Sequence, residues 1–186
     1  EIYPHLGATS VLTPNVQWRF QSGAKVTFAH MFYEKEKYNW QGSQIPLLMF
    51  DELVHFTESQ FFYMFSRNRS TCGVRPYIRA TCNPDGESWV ARFIDWWIDP
   101  ETGYADESRC GKLRYFIRRN NIIHWADTPQ QLYEEFHLYS PEEMEEVKSV
   151  SFISAKLTDN AAMMKHDPGY IGALKAMSEF DQEQLL

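Results

Sequence analysis

Residues 47–52, Leu-Leu-Met-Phe-Asp-Glu, constrain this chain more than any other stretch. Together with Ile45 and Pro46 they form an almost unbroken apolar run that leads straight into two adjacent carboxylates. An apolar run of that length, without alternation, suits a β-strand buried on both faces. Ligands of open α/β sheets bind at the C-terminal ends of such strands, which is where Asp51 and Glu52 fall. Neighbouring strand residues point to opposite faces, so the two acids can take two different roles. The plainer alternative is that they only cap the helix that follows. Thr57 with Gln60 makes a capping box for that helix, which runs to about Ser66 and buries Phe61, Phe62, Met64 and Phe65.

The remaining elements alternate around this centre. Val16 to Phe20 and Lys25 to His30, joined through Ser22 and Gly23, read as a hairpin. Pro76 to Cys82 is a second core strand, stopped by the turn residues Asn83, Pro84, Asp85 and Gly86. Ser88 caps a helix through Trp97 that carries Trp89, Phe93, Trp96 and Trp97. Lys112 to Ile117 and Ile122 to Trp125 form another hairpin, Thr128 and Pro129 begin a helix to about Phe136, and Ser140, Pro141 and Glu143 repeat that signature. Val150 to Ala155 is the last strand. Strands alternating with helices predict an α/β fold with a mainly parallel sheet flanked by helices and antiparallel hairpin additions. At 186 residues, with no internal repeat or linker, residues 1–186 belong to one domain.

Charge and cysteine content exclude several classes. The formal net charge is −7, and it resides in the last third: Thr128 to Leu186 holds eleven acids and four bases, while the rest is balanced at fourteen of each. A uniform basic face for nucleic acid is therefore excluded. Local patches remain at Ser66 to Arg79, with Arg67, Arg69, Arg75 and Arg79, and at Arg109 to Arg119, with five bases and no acid. Each patch is either a phosphate contact or a set of paired arginines. Cys72, Cys82 and Cys110 make neither a disulfide framework nor a zinc pair, and the six histidines never take metal-ligand spacing. No apolar run reaches bilayer length, so a soluble, intracellular protein is expected.

An apolar strand ending in Asp-Glu is the arrangement of the Walker B motif in P-loop ATPases, where the first acid helps hold Mg²⁺ on ATP and the second polarises the attacking water. Thr81-Cys82-Asn83 ends the next strand and would lie beside Asp51 and Glu52 if the two strands are neighbours. An amide there can bond a terminal phosphate or the water, although an Asn before Pro84 also suits a simple turn.

Several segments, taken in order, resemble the ATPase domain of tailed-phage terminase large subunits. They are FQSGAK from Phe20 and YNWQGSQI from Tyr38, then Phe50-Asp51-Glu52-Leu53, Gln60-Phe61-Phe62-Tyr63, Ser66-Arg67-Asn68-Arg69-Ser70 and Arg79-Ala80-Thr81-Cys82-Asn83-Pro84. Ser88-Trp89-Val90, Ile94-Asp95-Trp96-Trp97-Ile98, Phe152-Ile153, Thr158-Asp159-Asn160 and Asp167-Pro168-Gly169-Tyr170 extend the resemblance over nearly the whole chain. It implies a P-loop NTPase-like fold of the RecA type and a motor that uses ATP and Mg²⁺ to drive double-stranded DNA into a procapsid. The implied partners are a portal protein, a small terminase subunit and sibling subunits in a ring, all in the cytoplasm of a bacterial host. Residue by residue, it implies that Asp51 is the Mg²⁺ acid, Glu52 the catalytic glutamate, and Thr81, Cys82 and Asn83 the coupling motif next to the nucleotide. Arg67 and Arg69 fall in a shared helix-end segment that could meet a phosphate, a DNA strand or a neighbouring subunit.

Two departures qualify this. G-x-x-x-x-G-K-[ST] is absent, and Gly111-Lys112 is followed by Leu113, so the expectation is a fragment that lacks the first strand and phosphate loop and ends before any nuclease domain. Some relatives place a trans-acting arginine before the glycine that is Gly42 here, whereas this chain has Gln41; Arg67 and Arg69 are the substitutes to consider. The competing readings are a non-catalytic assembly or DNA-contacting module, and a nuclease built on Asp51, Glu52, Asp95 and Asp99.

Overall fold

In the computed structural model of the protein, which describes residues 2–13, 16–83, 85–156, 159–167 and 169–177, the chain divides into two compact units, Glu1–Cys82 and Asn83–Leu186. The first opens with an antiparallel meander of Thr9–Val11 (β1), Gln17–Arg19 (β2) and Lys25–Thr27 (β3). The expected hairpin is β2–β3; β1, too short and polar to announce itself, is added at its edge. Leu47–Phe50 (β4), Glu58–Phe65 (α1) and Tyr77–Ala80 (β5) follow as a strand-helix-strand crossover, and β4 and β5 pair in parallel with Leu47 opposite Tyr77 and Phe50 opposite Ala80.

Thr57 caps α1 as its capping box demands: its Oγ1 accepts from the Gln60 amide, and Gln60 Oε1 accepts from the Thr57 amide. Gln60 is itself buried and spends its Nε2 on the carbonyls of Met31 and Tyr33, at 3.2 and 3.3 Å. One residue thus starts the helix and ties down the preceding loop.

Burial on β4 departs from the sequence-based expectation. Leu48 and Phe50 are buried, Phe50 meeting Phe56 and Phe61, but Leu47 is 40% and Met49 72% exposed. The strand alternates in and out because α1 covers only one face of this two-stranded sheet.

Lys37 and Glu34 form an ion pair within the turn Glu34–Trp40, and the turn is tied to α1 and its cap by the bond from Lys37 to Ser59 and by Thr57 Oγ1, which donates to Glu34 at 2.6 Å. Lys37 is buried, a rare state for a lysine, and its partners explain it. The Lys37 ammonium and then the Thr57 hydroxyl hold the Glu34 carboxyl at about 2, against an ordinary 4.5. A carboxylate with a lowered folded-state pKa adds stability above its unfolded value and loses it as pH falls through the folded value. Glu34→Gln should therefore remove a small stabilisation at neutral pH, under about 1 kcal/mol for so exposed a carboxylate, and the difference from the parent should shrink steadily as pH falls from about 5 towards 2. Urea melts of both proteins from pH 7 to pH 2 check this.

The second unit contains Trp89–Ile94 (α2), Leu113–Arg119 (β6), Ile122–Ala126 (β7), Pro129–Glu135 (α3), Pro141–Met144 (α4), Lys148–Ser151 (β8), Ala161–His166 (α5) and Tyr170–Lys175 (α6). Its sheet has the order β7-β6-β8, antiparallel throughout. The β6–β7 turn is only Asn120 and Asn121, both at positive φ (51° and 64°), as a two-residue hairpin of this twist requires and asparagine tolerates. Ile117, Ala126, Leu132 and Leu138 form one buried cluster; Phe93, Phe116, Trp97 and Trp125 pack edge-on and tilted in a separate aromatic group, Phe116 and Trp125 lying on the opposite face of β6–β7 from Ile117 and Ala126. The Ser88 cap is present, its Oγ accepting from the Ala91 amide.

Parallel pairing is confined, among the described residues, to β4–β5, so the mainly parallel sheet expected from element order is corrected to a mixed α/β arrangement. Helices followed the strands closely enough to suggest crossovers, but β6, β7 and β8 connect antiparallel through short turns and α3–α4. The last strand is Lys148–Ser151 rather than Val150 to Ala155. Pro84, Thr158 and Pro168, quoted above, lie outside the described residues.

Candidate functional site

The parallel register brings the C-terminal ends of β4 and β5 together, and with them residues thirty apart in the chain. Thr81 Oγ1 donates to Asp51 Oδ1 at 2.8 Å and accepts from the Glu52 amide at 3.3 Å. Its backbone continues the ladder: the Thr81 amide donates to Phe50 O at 2.9 Å, and the Leu53 amide donates to Thr81 O at 2.8 Å. Thr81 is therefore the clasp of the acid pair, fixing the carboxylate of one and the backbone of the other.

Glu52 sits at φ 53°, ψ 64°, in the left-handed region. Such a conformation costs a non-glycine residue roughly 1–3 kcal/mol and persists only where neighbours impose it. Here the neighbours are the two Thr81 bonds and the turn bond from the His55 amide to Glu52 O at 2.9 Å. The kink sends the chain from the strand into the turn Leu53–His55 and leaves Asp51 exposed and Glu52 half-buried at the strand end.

Cys82 is half-buried next to them. Burial, and then the charge of nearby Glu52, push its thiol above the usual range, so it stays protonated at neutral pH and forms a neutral wall. Asn83 follows, exposed, as the first residue of the second unit.

Arg67 and Arg69 lie elsewhere. The Ile45 amide donates to Arg67 O at 3.0 Å, and Asn68 Nδ2 reaches the carbonyls of Ile45, Pro46 and Tyr77 at 2.9–3.1 Å, all at the N-terminal ends of β4 and β5. From Pro46 to Asp51 is five residues of extended chain, about 16 Å, so the segment is at the opposite end of the strand pair from the carboxylates. Arg67 stacks on Tyr63 with its guanidinium 5.2 Å from the ring centre and bonds Ser66 Oγ. Arg69 donates to Ser43 O and Gly42 O at 3.3 and 3.4 Å, on the turn that follows Gln41.

Asn68 is the residue that sequence reasoning passed over between two arginines. It laces the strand starts as Thr81 clasps the strand ends. Asn68→Ala should cost about 1–3 kcal/mol by leaving carbonyls unpaired, measured as an earlier denaturant midpoint at unchanged slope.

The second basic run is largely engaged. Arg109 pairs with Asp106, Arg114 with Asp127 and Arg119 with Glu146. Among the described residues no group of three or more His, Cys, Asp or Glu could hold a metal ion. No helix of the described residues is long and apolar enough to cross a membrane.

The fold and site define a mixed α/β chain in which a parallel strand pair presents an Asp-Glu pair clasped by a threonine. Residues 4–186 match the family model "Terminase large subunit, T4likevirus-type, N-terminal", and the chain belongs to that family. No curated protein and no solved structure matches it.

Proposed function

We propose that this chain carries the ATP-hydrolysis chemistry of a DNA-packaging motor. The observation that carries the reading is the clasp: an acid pair at the end of a parallel strand, with its second member strained into place by Thr81 on the neighbouring strand. Membership of the terminase large-subunit family supports it. The parallel crossover β4-α1-β5 is compatible with a P-loop NTPase-like core, in which residues 1–186 would belong to one ATPase domain.

An exposed carboxylate with one oxygen fixed by a hydroxyl suits Mg²⁺, which is commonly held by one or two carboxylates and the phosphates of its nucleotide. Asp51 would hold it; the ion supplies charge neutralisation at the phosphates of ATP. Glu52, beside it at the strand end, takes the proton of the attacking water. Thr81 keeps Asp51 aimed, Cys82 backs Glu52 with a neutral wall, and Asn83 supplies an amide for the terminal phosphate or the water. Tied to the Gly42–Ser43 turn, Arg69 is the better of the two arginines for a trans-acting role towards a sibling subunit, with Arg67 beside it. Double-stranded DNA, a portal protein and a small terminase subunit are the partners of this reading, in the host cytoplasm.

The test is DNA-stimulated ATP hydrolysis by the intact gene product. Turnover that needs Mg²⁺ and is lost in Asp51→Asn is the expected result. A folded protein that binds no nucleotide would overturn the reading in favour of an assembly module.

A further inference from the structure

The second unit holds a cleft of about 440 Å³, within the range of ligand sites, whose walls are indole and guanidinium. We propose that it seats an unpaired nucleotide of a single-stranded nucleic acid, the base against the Trp96–arginine stack and the phosphate on Arg109. The inference does not rest on the ATP-hydrolysis reading, because every residue it uses lies between Phe93 and Asp127.

The cleft is built as a stack. The Arg114 guanidinium lies 4.7 Å from the centre of the Trp96 ring and 6.0 Å from that of Trp125, and the Arg109 guanidinium lies 5.3 Å from Trp96. Ile98 and Pro100 complete an apolar lining. Each guanidinium is fixed from behind: Arg109 by Asp106 at 3.0 Å and by the Trp96 carbonyl at 2.8 Å, Arg114 by Asp127 at 3.0 Å. Trp96 abuts Trp97 edge-on at 5.3 Å, and Trp97 is pinned through Nε1 to the Lys112 carbonyl at 3.1 Å. Trp125 is wedged against Phe93 and Phe116. Planar groups locked in advance lose little freedom when a planar ligand joins them.

The chemistry selects the ligand. Alternating indole and guanidinium planes accept a nucleobase, since bases stack on both. Paired bases in a duplex offer no face to such a cleft. Two arginines stand against Asp95, Asp106 and Asp127, so the local field is not strongly positive and the phosphate attraction is small. Stacking, rather than charge, should therefore dominate, which separates this cleft from an ordinary basic groove.

Tryptophan fluorescence is titrated with a twelve-nucleotide thymidine strand, the corresponding duplex, and AMP. The strand should quench fluorescence and bind more tightly than the duplex. Trp96→Leu should weaken strand binding about tenfold or more, the order that a lost base stack costs. The salt dependence should be shallow, a log–log slope near about −1, as about 0.7 per phosphate for one or two phosphates gives. Should Trp96→Leu fail to fold, Trp96→Phe retaining the affinity and Arg109→Gln losing several-fold of it make the same distinction. The proposal is overturned if a folded Trp96→Leu protein binds the strand as the parent does, if the duplex binds equally well, or if the salt slope is steep. AMP saturating the same signal at equal or lower concentration would reassign the cleft to a free nucleotide and also overturn it.

Discussion

In the intact gene product, Glu52→Gln should leave nucleotide binding intact and lower DNA-stimulated ATP turnover by about a hundred- to ten-thousandfold, the range that a positioned general base contributes. The amide keeps the shape and hydrogen-bonding span of the carboxylate but cannot take a proton. A loss confined to kcat, with the affinity for ATP retained, identifies a group that acts in the transition state. The same position allows a second readout that activity alone cannot give. Its backbone is held at φ 53°, a conformation glycine adopts without penalty, so Glu52→Gly should abolish turnover while keeping or raising the melting temperature. Full turnover in Glu52→Gln, or a Glu52→Gly protein that is strongly destabilised, would mean that the strain at this site serves the fold and not the chemistry.

Trp97→Ala should be among the most damaging single changes to stability. Trp97 is 1% exposed, contacts Trp96 and Trp125 edge-on, and donates its indole hydrogen to the Lys112 carbonyl. Removing so large a buried ring costs about 3–5 kcal/mol, and the orphaned carbonyl adds to it. Denaturant melts followed by near-ultraviolet dichroism would show an early transition, or no cooperative transition. Trp97→Phe, which restores most of the volume but not the hydrogen bond, should recover most of the loss.

The local signals in the sequence were legible where the chain punctuates itself. Thr57, Ser88, Ser140 and Pro129 marked helix starts that the structure keeps to within a residue or two, because a cap is a contact between residues three apart. The pairing of β4 with β5, and the meeting of Asp51 with Thr81, were also legible, since consecutive strands with one helix between them usually pair in parallel. Burial on β4 was not. Leu47 and Met49 look like core residues, but whether a residue is covered depends on what packs over it, and α1 covers only the side of Leu48 and Phe50. The arginine-rich runs were ambiguous for a similar reason. Asp106, Asp127 and Glu146, which engage Arg109, Arg114 and Arg119, lie outside the run itself. Asn68 was hidden because an amide that bonds three backbone carbonyls leaves no pattern in side-chain chemistry.

The crossover has a consequence for how the chain acquires competence. The β6–β7 hairpin closes over a two-residue turn, so it can form on the microsecond scale of local hairpins. The contact between Thr81 and Asp51 must close a loop spanning thirty residues and await α1, and contacts of such sequence separation are made late. Asp51 and Glu52 are adjacent in every unfolded chain, yet their geometry exists only once Thr81 has arrived. A nascent or partly unfolded chain thus holds the two acids without the geometry that Thr81 imposes, and that geometry appears only when the strand pair is complete.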